Sequence, residues 1–263
     1  MIRDLGPYVP KRAHKLDAPI LAMLMNAVDD RHPGQVFVVQ VGAGSGEGDL
    51  PFLPRFRDGG WSGLLIEPHP QHFAQLDALH ANGERVAVLN LGISDLAANL
   101  PLHSLTPESE ARTRRAPRGR ASLIRDRIAT SGTPPEEITS IEVPFLRLDT
   151  VLTELGIDSA QLVAINAGGH EAQVLASFDL AALDPALVLV HSTPGTVADE
   201  ACIACLTAAS LHPFRVAGWL AGRPCSHPTC RPPGRAADLL PEGPRRPAGP
   251  RRMTPAQLGR PSC

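Results

Sequence analysis

Three glycines at alternate positions, Gly42, Gly44 and Gly46, stand between a short apolar run and a segment of predicted helix. Backbone N–H groups in such a turn can approach a nucleotide-type ligand closely, because glycine has no side chain to hold the ligand away. Glu67 follows Gly46 by 21 residues, at the end of a second apolar run. A carboxylate there can accept hydrogen bonds from both hydroxyls of a ribose. Together the two features predict a site for a ribose-containing ligand.

The spacing of the glycines separates two classes of cofactor. A dinucleotide-binding turn has the pattern G-x-G-x-x-G, but this chain has Glu47 and Asp49 where the third glycine would fall. Glu47 would also lie near a pyrophosphate, and like charges repel in a partly desolvated turn. The pattern present, G-x-G-x-G, is similar to that of methyltransferases, whose cofactor S-adenosylmethionine carries no phosphate. An NAD-dependent oxidoreductase remains the weaker alternative.

Apolar runs and helical spacing alternate along the chain around this turn. The predicted strands are 36–41, 63–67, 85–91, 161–166 and 186–191. The predicted helices are 16–30, 49–58, 70–81, 148–155, 169–178 and 197–210. Such alternation predicts an α/β fold with a Rossmann-like, doubly wound and mostly parallel sheet. Ligands bind these sheets at the carboxyl ends of the strands, which is where the glycine turn and Glu67 fall.

One domain is predicted over residues 35–220, after a helical lead-in at 1–34. An insertion rich in Arg, Pro and Ser interrupts the alternation at 106–138. Short predicted strands at 99–105 and 139–147 flank this insertion, and we expect them to pair as a hairpin. The insertion is then placed to help form the site of a second substrate.

The composition of the chain limits the classes of binding partner that we expect. The formal net charge of −2 gives no general attraction to nucleic acid or membrane, and no apolar run is long enough to span a bilayer. The five cysteines are an odd number, which favours reduced thiols over a disulfide framework. We therefore expect a cytoplasmic protein with neither a nucleic-acid nor a membrane partner.

The sequence resembles the FkbM-like family of S-adenosylmethionine-dependent methyltransferases, chiefly O-methyltransferases of natural products and sugars. The resemblance covers about residues 35–195 and rests on five blocks in the family's order and spacing. They are VFVVQVGAGSGEGD at 36–49, LLIEPHPQHFAQL at 64–76, LGISD at 91–95, VPFLRLDTVLTELGI at 143–157 and LVAINAGGHEAQVL at 162–175. This implies S-adenosylmethionine as cofactor and a small-molecule or glycan hydroxyl as acceptor.

The resemblance also assigns roles to residues. It implies that the turn glycines line the methionine moiety of the cofactor and that Glu67 holds the ribose. It places Ser94 and Asp95 near the adenine.

The fifth block departs from the family pattern I-D-x-E-G-x-E, because residues 165–171 read INAGGHE. Asn166 and Gly168 stand where the family has carboxylates, and Asn166 is expected to face the methyl group of the cofactor. The missing charges alter the electrostatics near the sulfonium. A catalytically impaired relative that still binds the cofactor is therefore an alternative.

His170, Glu171 and His191 are candidates for a catalytic base, because they follow the fourth and fifth parallel strands. For each of them, an ordinary rim or capping residue is the simpler interpretation. An acid in the first turn of a helix, as at Glu171, is also expected from the helix dipole alone.

Two other clusters have simpler interpretations. Cys202-x2-Cys205 and Cys225-x4-Cys230 have zinc-ligand spacing, but Cys202 and Cys205 fall in an apolar helical pattern, and no metal site is expected. The basic run RTRRAPRGR at 112–120 could bind an anionic acceptor through its guanidinium groups. A solvated loop is the preferred interpretation of this run, because runs of charge are usually solvated.

The C-terminal end of the predicted sheet is incomplete. Sheets of this methyltransferase class end in an antiparallel pair of strands, and only one further strand is predicted, at 213–220. Residues 221–263 contain ten prolines, and eight arginines against Asp238 and Glu242, which predicts a disordered tail. We hypothesise that this tail replaces a lost ending, for example through a frameshift.

Overall fold

The computed structural model describes residues 17–46, 52–81, 85–112, 121–129 and 133–224. Its helices are α1 (Asp17–Arg31), α2 (Leu53–Arg57), α3 (Pro70–His80), α4 (Pro107–Arg112), α5 (Arg125–Ile128), α6 (Leu148–Leu155), α7 (Glu171–Ala176), α8 (Leu180–Leu183) and α9 (Val197–Ala208). Its strands are β1 (Phe37–Val41), β2 (Ser62–Ile66), β3 (Val86–Leu89), β4 (Gly92–Ile93), β5 (Ala98–Leu105), β6 (Ala121–Ser122), β7 (Ile138–Leu146), β8 (Leu162–Ile165), β9 (Leu187–Val190), β10 (Leu211–Val216) and β11 (Trp219–Pro224).

Seven strands form the main sheet in the order β10-β11-β9-β8-β1-β2-β3. The central strand β1 pairs in parallel with β2 on one side and with β8 on the other. Strand β11 is antiparallel to both of its neighbours. The α/β, doubly wound and mostly parallel fold predicted from the alternation is confirmed.

Apolar side chains of the central strand point to both faces of the main sheet. Val39 belongs to a core layer that includes Val151 of α6 and Leu206 of α9. Val38 belongs to the opposite layer, which includes Leu76 of α3. Because helices cover both faces, the strands read as continuous apolar runs, which is the pattern of buried parallel strands.

A second, four-stranded sheet has the order β4-β7-β5-β6. Strands β5 and β7 are antiparallel over eight residue pairs, from Ala98 opposite Phe145 to Leu105 opposite Ile138. This pairing is the hairpin predicted around the insertion. The described part of the insertion contributes α4, β6 and α5, and the rest of the basic run after Arg112 lies outside the described residues.

The prediction of one strand at 213–220 is wrong. The chain forms β10 and β11, which are joined by a two-residue turn with φ of 51° at Ala217 and 79° at Gly218. Positive φ at both central residues is the hairpin geometry that matches strand twist. Strand β11 continues to Pro224 and pairs with β9, so the sheet has its antiparallel ending. The predicted tail therefore cannot begin at 221, and residues 225–263 lie outside the described residues.

That ending removes the structural premise of the frameshift hypothesis, which was an incomplete sheet. Ala221 is fully buried between neighbouring strands, as an ordinary central-strand residue would be.

Among the described residues, none of the helices combines the length and apolarity that crossing a lipid bilayer requires.

Candidate functional site

A cleft of about 1000 Å³ opens at the carboxyl ends of the central strands. Its walls come from the loops after β1, β2, β8 and β9 and from the insertion. The residues predicted as functional that line it are Gly42, Gly44, Gly46, Glu67, Asn166, His170 and His191. The insertion contributes Glu110, Ala121, Ser122, Leu123, Arg127 and Ile128. The structure therefore brings the glycine turn, Glu67 and two of the three candidate bases into one cavity.

The glycines of the first turn are suited to their positions for different structural reasons. Gly42 has a φ of +74°, and a Cβ there would overlap the backbone carbonyl oxygen of Asn166. This glycine lets the ends of β1 and β8 approach each other. A Cβ on Gly46 would lie 2.9 Å from the side chain of Leu76 and still closer to that of Leu79. The turn thus packs directly against α3.

Gly44 is the glycine that remains open toward the cleft. Its φ is +59°, and a Cβ there would have no described atom within 4 Å. Its N–H donates a hydrogen bond to Glu67 Oε2 at 2.7 Å. The turn and the acid, predicted separately from sequence, are therefore directly bonded.

Glu67 is buried and its carboxylate is held from two sides. Besides Gly44, the backbone N–H of His69 donates to Glu67 Oε1 at 2.9 Å. The Asn90 side chain donates to the carbonyl oxygens of Glu67 at 2.9 Å and Pro68 at 3.1 Å, which fixes the backbone after β2. A carboxylate has about four lone-pair positions, so each oxygen can accept a further hydrogen bond from a ligand hydroxyl.

Two buried histidines beside Glu67, His69 and His72, were not singled out from the sequence. The ring of His72 lies between two carboxylates, with Nδ1 3.7 Å from Glu67 Oε1 and Nε2 3.7 Å from Glu110 Oε1. Burial alone would lower the pKa of His72, but the two carboxylates together raise it above its ordinary value. The His69 ring stacks on that of His72 at 4.3 Å between centroids, and its Nε2 lies 3.2 Å from Ser104 Oγ. Burial, together with the charge of His72, lowers the pKa of His69.

Ser94 and Asp95, which the resemblance placed near the adenine, follow β4 of the second sheet. Neither lines the cleft, and Ser94 Oγ instead lies 2.9 Å from His170 Nε2. The reason is that β4 pairs with β7 and the Ser94 N–H continues this pairing to the Leu146 carbonyl at 2.9 Å, which carries the segment along the second sheet. Their place near the adenine stays a prediction.

His170 is half-buried and oriented by this contact. The Ser94 hydroxyl donates to Asp95 Oδ1 at 3.0 Å, so Ser94 Oγ accepts from His170 Nε2–H. The Nδ1 atom then carries the lone pair. Burial lowers the pKa of His170, and the carboxylates of Asp95 and Glu171 only partly oppose this. The surroundings of His170 therefore favour the neutral imidazole.

Glu171, the second candidate base, anchors the loop after β8 instead of lining the cleft. It is 2% exposed, and its Oε1 accepts hydrogen bonds from Ala167 N–H at 3.1 Å and Gly169 N–H at 3.0 Å. These bonds hold the loop after β8 in place, and a catalytic role for Glu171 stays a prediction. His191, the third, is exposed in the cleft with its ring edge-on to Trp219 at 5.1 Å.

Asn166 and Gly168, the two positions that lack the family's carboxylates, have different surroundings. Asn166 is exposed at the end of β8, with its N–H bonded to the Val41 carbonyl. Gly168 has a φ of +60°, and a Cβ there would lie 2.6 Å from the Ala121 carbonyl oxygen. Ser122 Oγ donates to the Gly168 carbonyl at 2.7 Å. The insertion thus occupies the space that a side chain at 168 would need.

Cys202 and Cys205 lie in α9, where burial raises the pKa of the Cys202 thiol to about 12. Within the described ranges, no group of three or more His, Cys, Asp or Glu side chains could hold a metal ion. Cys225 and Cys230 lie outside those ranges. From the basic run, Arg112 forms an ion pair with Glu137 at 2.7 Å.

Comparison with known proteins gives one family. The sequence matches the model of the Methyltransferase FkbM domain over residues 40–208. No curated protein matches the sequence.

Several solved structures are similar to the chain at low sequence identity. The methyltransferase FkbM from Methylobacillus flagellatus is 12% identical, with a TM-score of 0.47 over 72% of this chain and 44% of that one. A precorrin-6y C5,15-methyltransferase from Geobacter metallireducens is 11% identical, with a TM-score of 0.40 over 81% of this chain and 82% of that one. An RNA methyltransferase from Salinibacter ruber in complex with S-adenosyl-L-homocysteine is 12% identical, with a TM-score of 0.37 over 83% of this chain and 92% of that one. The chain thus spans 44% of the length of the Methylobacillus protein.

Proposed function

Because the chain belongs to the FkbM methyltransferase domain family, we propose that it transfers the methyl group of S-adenosylmethionine to a hydroxyl oxygen of a small-molecule or glycan acceptor. One observation carries this proposal. The cleft that contains the open turn at Gly44 and the buried carboxylate of Glu67 also contains His170 and His191. A donor site and a candidate base therefore face the same space.

The residues on the cofactor side suit this cofactor. Glu67 has acceptor capacity left for two ribose hydroxyls, and the bonds from Gly44 and His69 already hold its carboxylate in place. The open space at Gly44 leaves room for a ligand against the backbone. Such prior ordering lowers the entropy that binding must lose.

On the acceptor side, the chain has to orient a hydroxyl and take its proton. When bound, the cofactor supplies an electrophilic methyl group, and transfer forms an O–C bond as the C–S bond breaks. His170 Nδ1 is the proposed proton acceptor, because Ser94 holds Nε2 as the donor and burial favours the neutral ring. Ser94 and Asp95 act as positioning residues. His191 is the second candidate base.

The proposed base is tested by pH-dependent methyl transfer, measured as release of S-adenosylhomocysteine with a panel of hydroxylated acceptors. Activity should fall as the pH drops through the folded-state pKa of His170, which lies below the ordinary 6.5. His170→Asn should lower kcat about 100-fold or more and remove this acidic limb. Ser94→Ala should move the limb without abolishing turnover.

His212→Asn is the matched control, because His212 is exposed on β10 and does not line the cleft. If His170→Asn retains the wild-type pH profile while His191→Asn loses activity, His191 is the base and the assignment to His170 is wrong.

A cofactor-binding relative without turnover is the second candidate, and the neutral residues Asn166 and Gly168 favour it. It predicts that S-adenosylhomocysteine binds with the same Glu67 dependence, whereas no acceptor in the panel is methylated and Asn166→Asp produces turnover. Turnover by the unmodified chain would exclude this candidate.

A further inference from the structure

An arginine of the insertion lines the acceptor side of the cleft. Arg127 lies on α5, and a Cβ on Gly169 would be 2.5 Å from Arg127 Nε. Arg127 Nη2 lies 3.5 Å from Thr193 Oγ1. The guanidinium group is therefore located over the loops that follow β8 and β9, which lie on the other side of β1 from β2 and Glu67.

Arg127 is the arginine among the described lining residues of the cleft, and its charge has no acidic partner in the described part of the chain. Arg112, Arg147 and Arg215 form ion pairs with Glu137, Asp149 and Asp199. The described carboxylates that line the cleft are Glu67 and Glu110, and both lie against His72 on the cofactor side. A cation that is exposed to the cleft has donors available for a ligand.

The loop under Arg127 presents no exposed carboxylate among its described residues. Positions 166 and 168 are Asn and Gly, and Gly169 lets the guanidinium approach the backbone directly. Glu171, the acid of this loop, is 2% exposed and uses Oε1 for two backbone N–H groups. The acceptor side therefore presents Arg127, His170 and His191 without an exposed acid among the described lining residues.

We propose that the acceptor carries an anionic group, a carboxylate or a phosphate, which binds the guanidinium of Arg127 while the hydroxyl to be methylated faces His170. This inference rests on the proposed methyl transfer. A guanidinium donates two parallel hydrogen bonds to such groups, which fixes the orientation of the ligand as well as its position. The neutral residues at 166 and 168 then avoid repulsion of an acidic acceptor.

The test uses the whole chain and a pair of probes that differ in charge, 4-hydroxybenzoate and 4-hydroxybenzamide. Binding of each is followed by saturation-transfer NMR, with and without saturating S-adenosylhomocysteine, and inorganic phosphate is added as a competitor. The acid should bind at least tenfold more tightly than the amide, and phosphate should displace it. Arg127→Gln should remove this preference, and Arg127→Lys should keep part of it.

Arg125→Gln is the matched control, because Arg125 lies on the same short helix, bonds the Pro135 carbonyl and does not line the cleft. It should leave the preference for the acid unchanged. Equal binding of acid and amide by the wild-type chain, or an unchanged preference in Arg127→Gln, would overturn the anionic subsite. Failure of S-adenosylhomocysteine to bind would refute the proposed function instead, and an Arg127-dependent preference would then show that the subsite exists without it.

Discussion

The carboxylate of Glu67 accepts a hydrogen bond of 2.7 Å from the backbone N–H of Gly44, so the two elements expected to hold the cofactor also hold each other. Removing this bond should weaken cofactor binding more than it weakens the fold. Glu67→Gln keeps the size of the side chain but leaves one acceptor oxygen for Gly44, His69 and the ribose. Since a hydrogen bond to a charged group contributes about 1.5–3 kcal/mol, we expect S-adenosylhomocysteine to bind about 10- to 100-fold more weakly.

Calorimetric titration measures this loss, and Glu108→Gln serves as a control, because Glu108 is an exposed acid outside the cleft lining. Wild-type affinity in Glu67→Gln would show that Glu67 does not contact the ligand.

Gly42 and Gly44 should respond differently to alanine. Gly42→Ala puts a Cβ onto the Asn166 carbonyl oxygen, in addition to the strain of its positive φ. We expect a decrease of about 2–5 kcal/mol in the free energy of unfolding. A Cβ at Gly44 meets open space among the described residues. Gly44→Ala should therefore lower the free energy of unfolding only by the conformational cost of the positive φ, about 1–2 kcal/mol.

Urea denaturation of both glycine variants gives this comparison. Equal losses of stability would contradict the close approach of β1 and β8 at Gly42.

Restoring the family carboxylates should be possible at one position and not at the other. Asn166 is exposed, so Asn166→Asp should change the free energy of unfolding by about 0.5 kcal/mol or less. Gly168→Glu collides with the Ala121 carbonyl and needs a positive φ, so a loss of about 2 kcal/mol or more is expected. Thermal unfolding with urea titration checks both values, and a fully stable Gly168→Glu would mean that β6 can move away from the loop.

His72 should make the stability of the cofactor side depend on pH. Its folded-state pKa is raised by Glu67 and Glu110, so the protonated ring stabilises the fold below the unfolded value of 6.5. This contribution disappears as the pH rises through the folded pKa. The neighbouring His69 has a lowered pKa and contributes in the opposite direction.

The stability difference between wild type and His72→Gln should therefore be largest near pH 5.5 and smallest near pH 9. Urea denaturation at both pH values provides the measurement. A difference that grows toward pH 9 would show that His72 is neutral between the carboxylates.

The main sheet could be predicted from sequence because its strands are short and apolar on both faces, and because glycine and proline mark their ends. Strands β1 and β2 and helix α6 were placed within one or two residues of their observed bounds. The last strand pair was missed because Gly222, Arg223 and Pro224 give β11 the composition of the segment that follows it. A hairpin turn at Ala217 and Gly218 has no sequence marker as strong as Asn-Gly.

The site was predictable where a local motif encodes it and not where distant segments meet. The glycine turn and Glu67 are read from adjacent strands. The bond between Ser94 and His170 joins residues 76 positions apart, through a strand that switches sheets. The contacts of Arg127 with Gly169 and of Glu110 with His72 depend on how the insertion folds over the cleft, which periodicity does not encode.

The proposed methyl transfer depends on binding of S-adenosylmethionine in the cleft. Calorimetric titration of the purified chain with S-adenosylhomocysteine, and with NADH in parallel, measures this binding. We predict binding of S-adenosylhomocysteine at micromolar concentration, and no binding of NADH. Binding of NADH alone, or of neither ligand, would show that the cleft does not hold this cofactor.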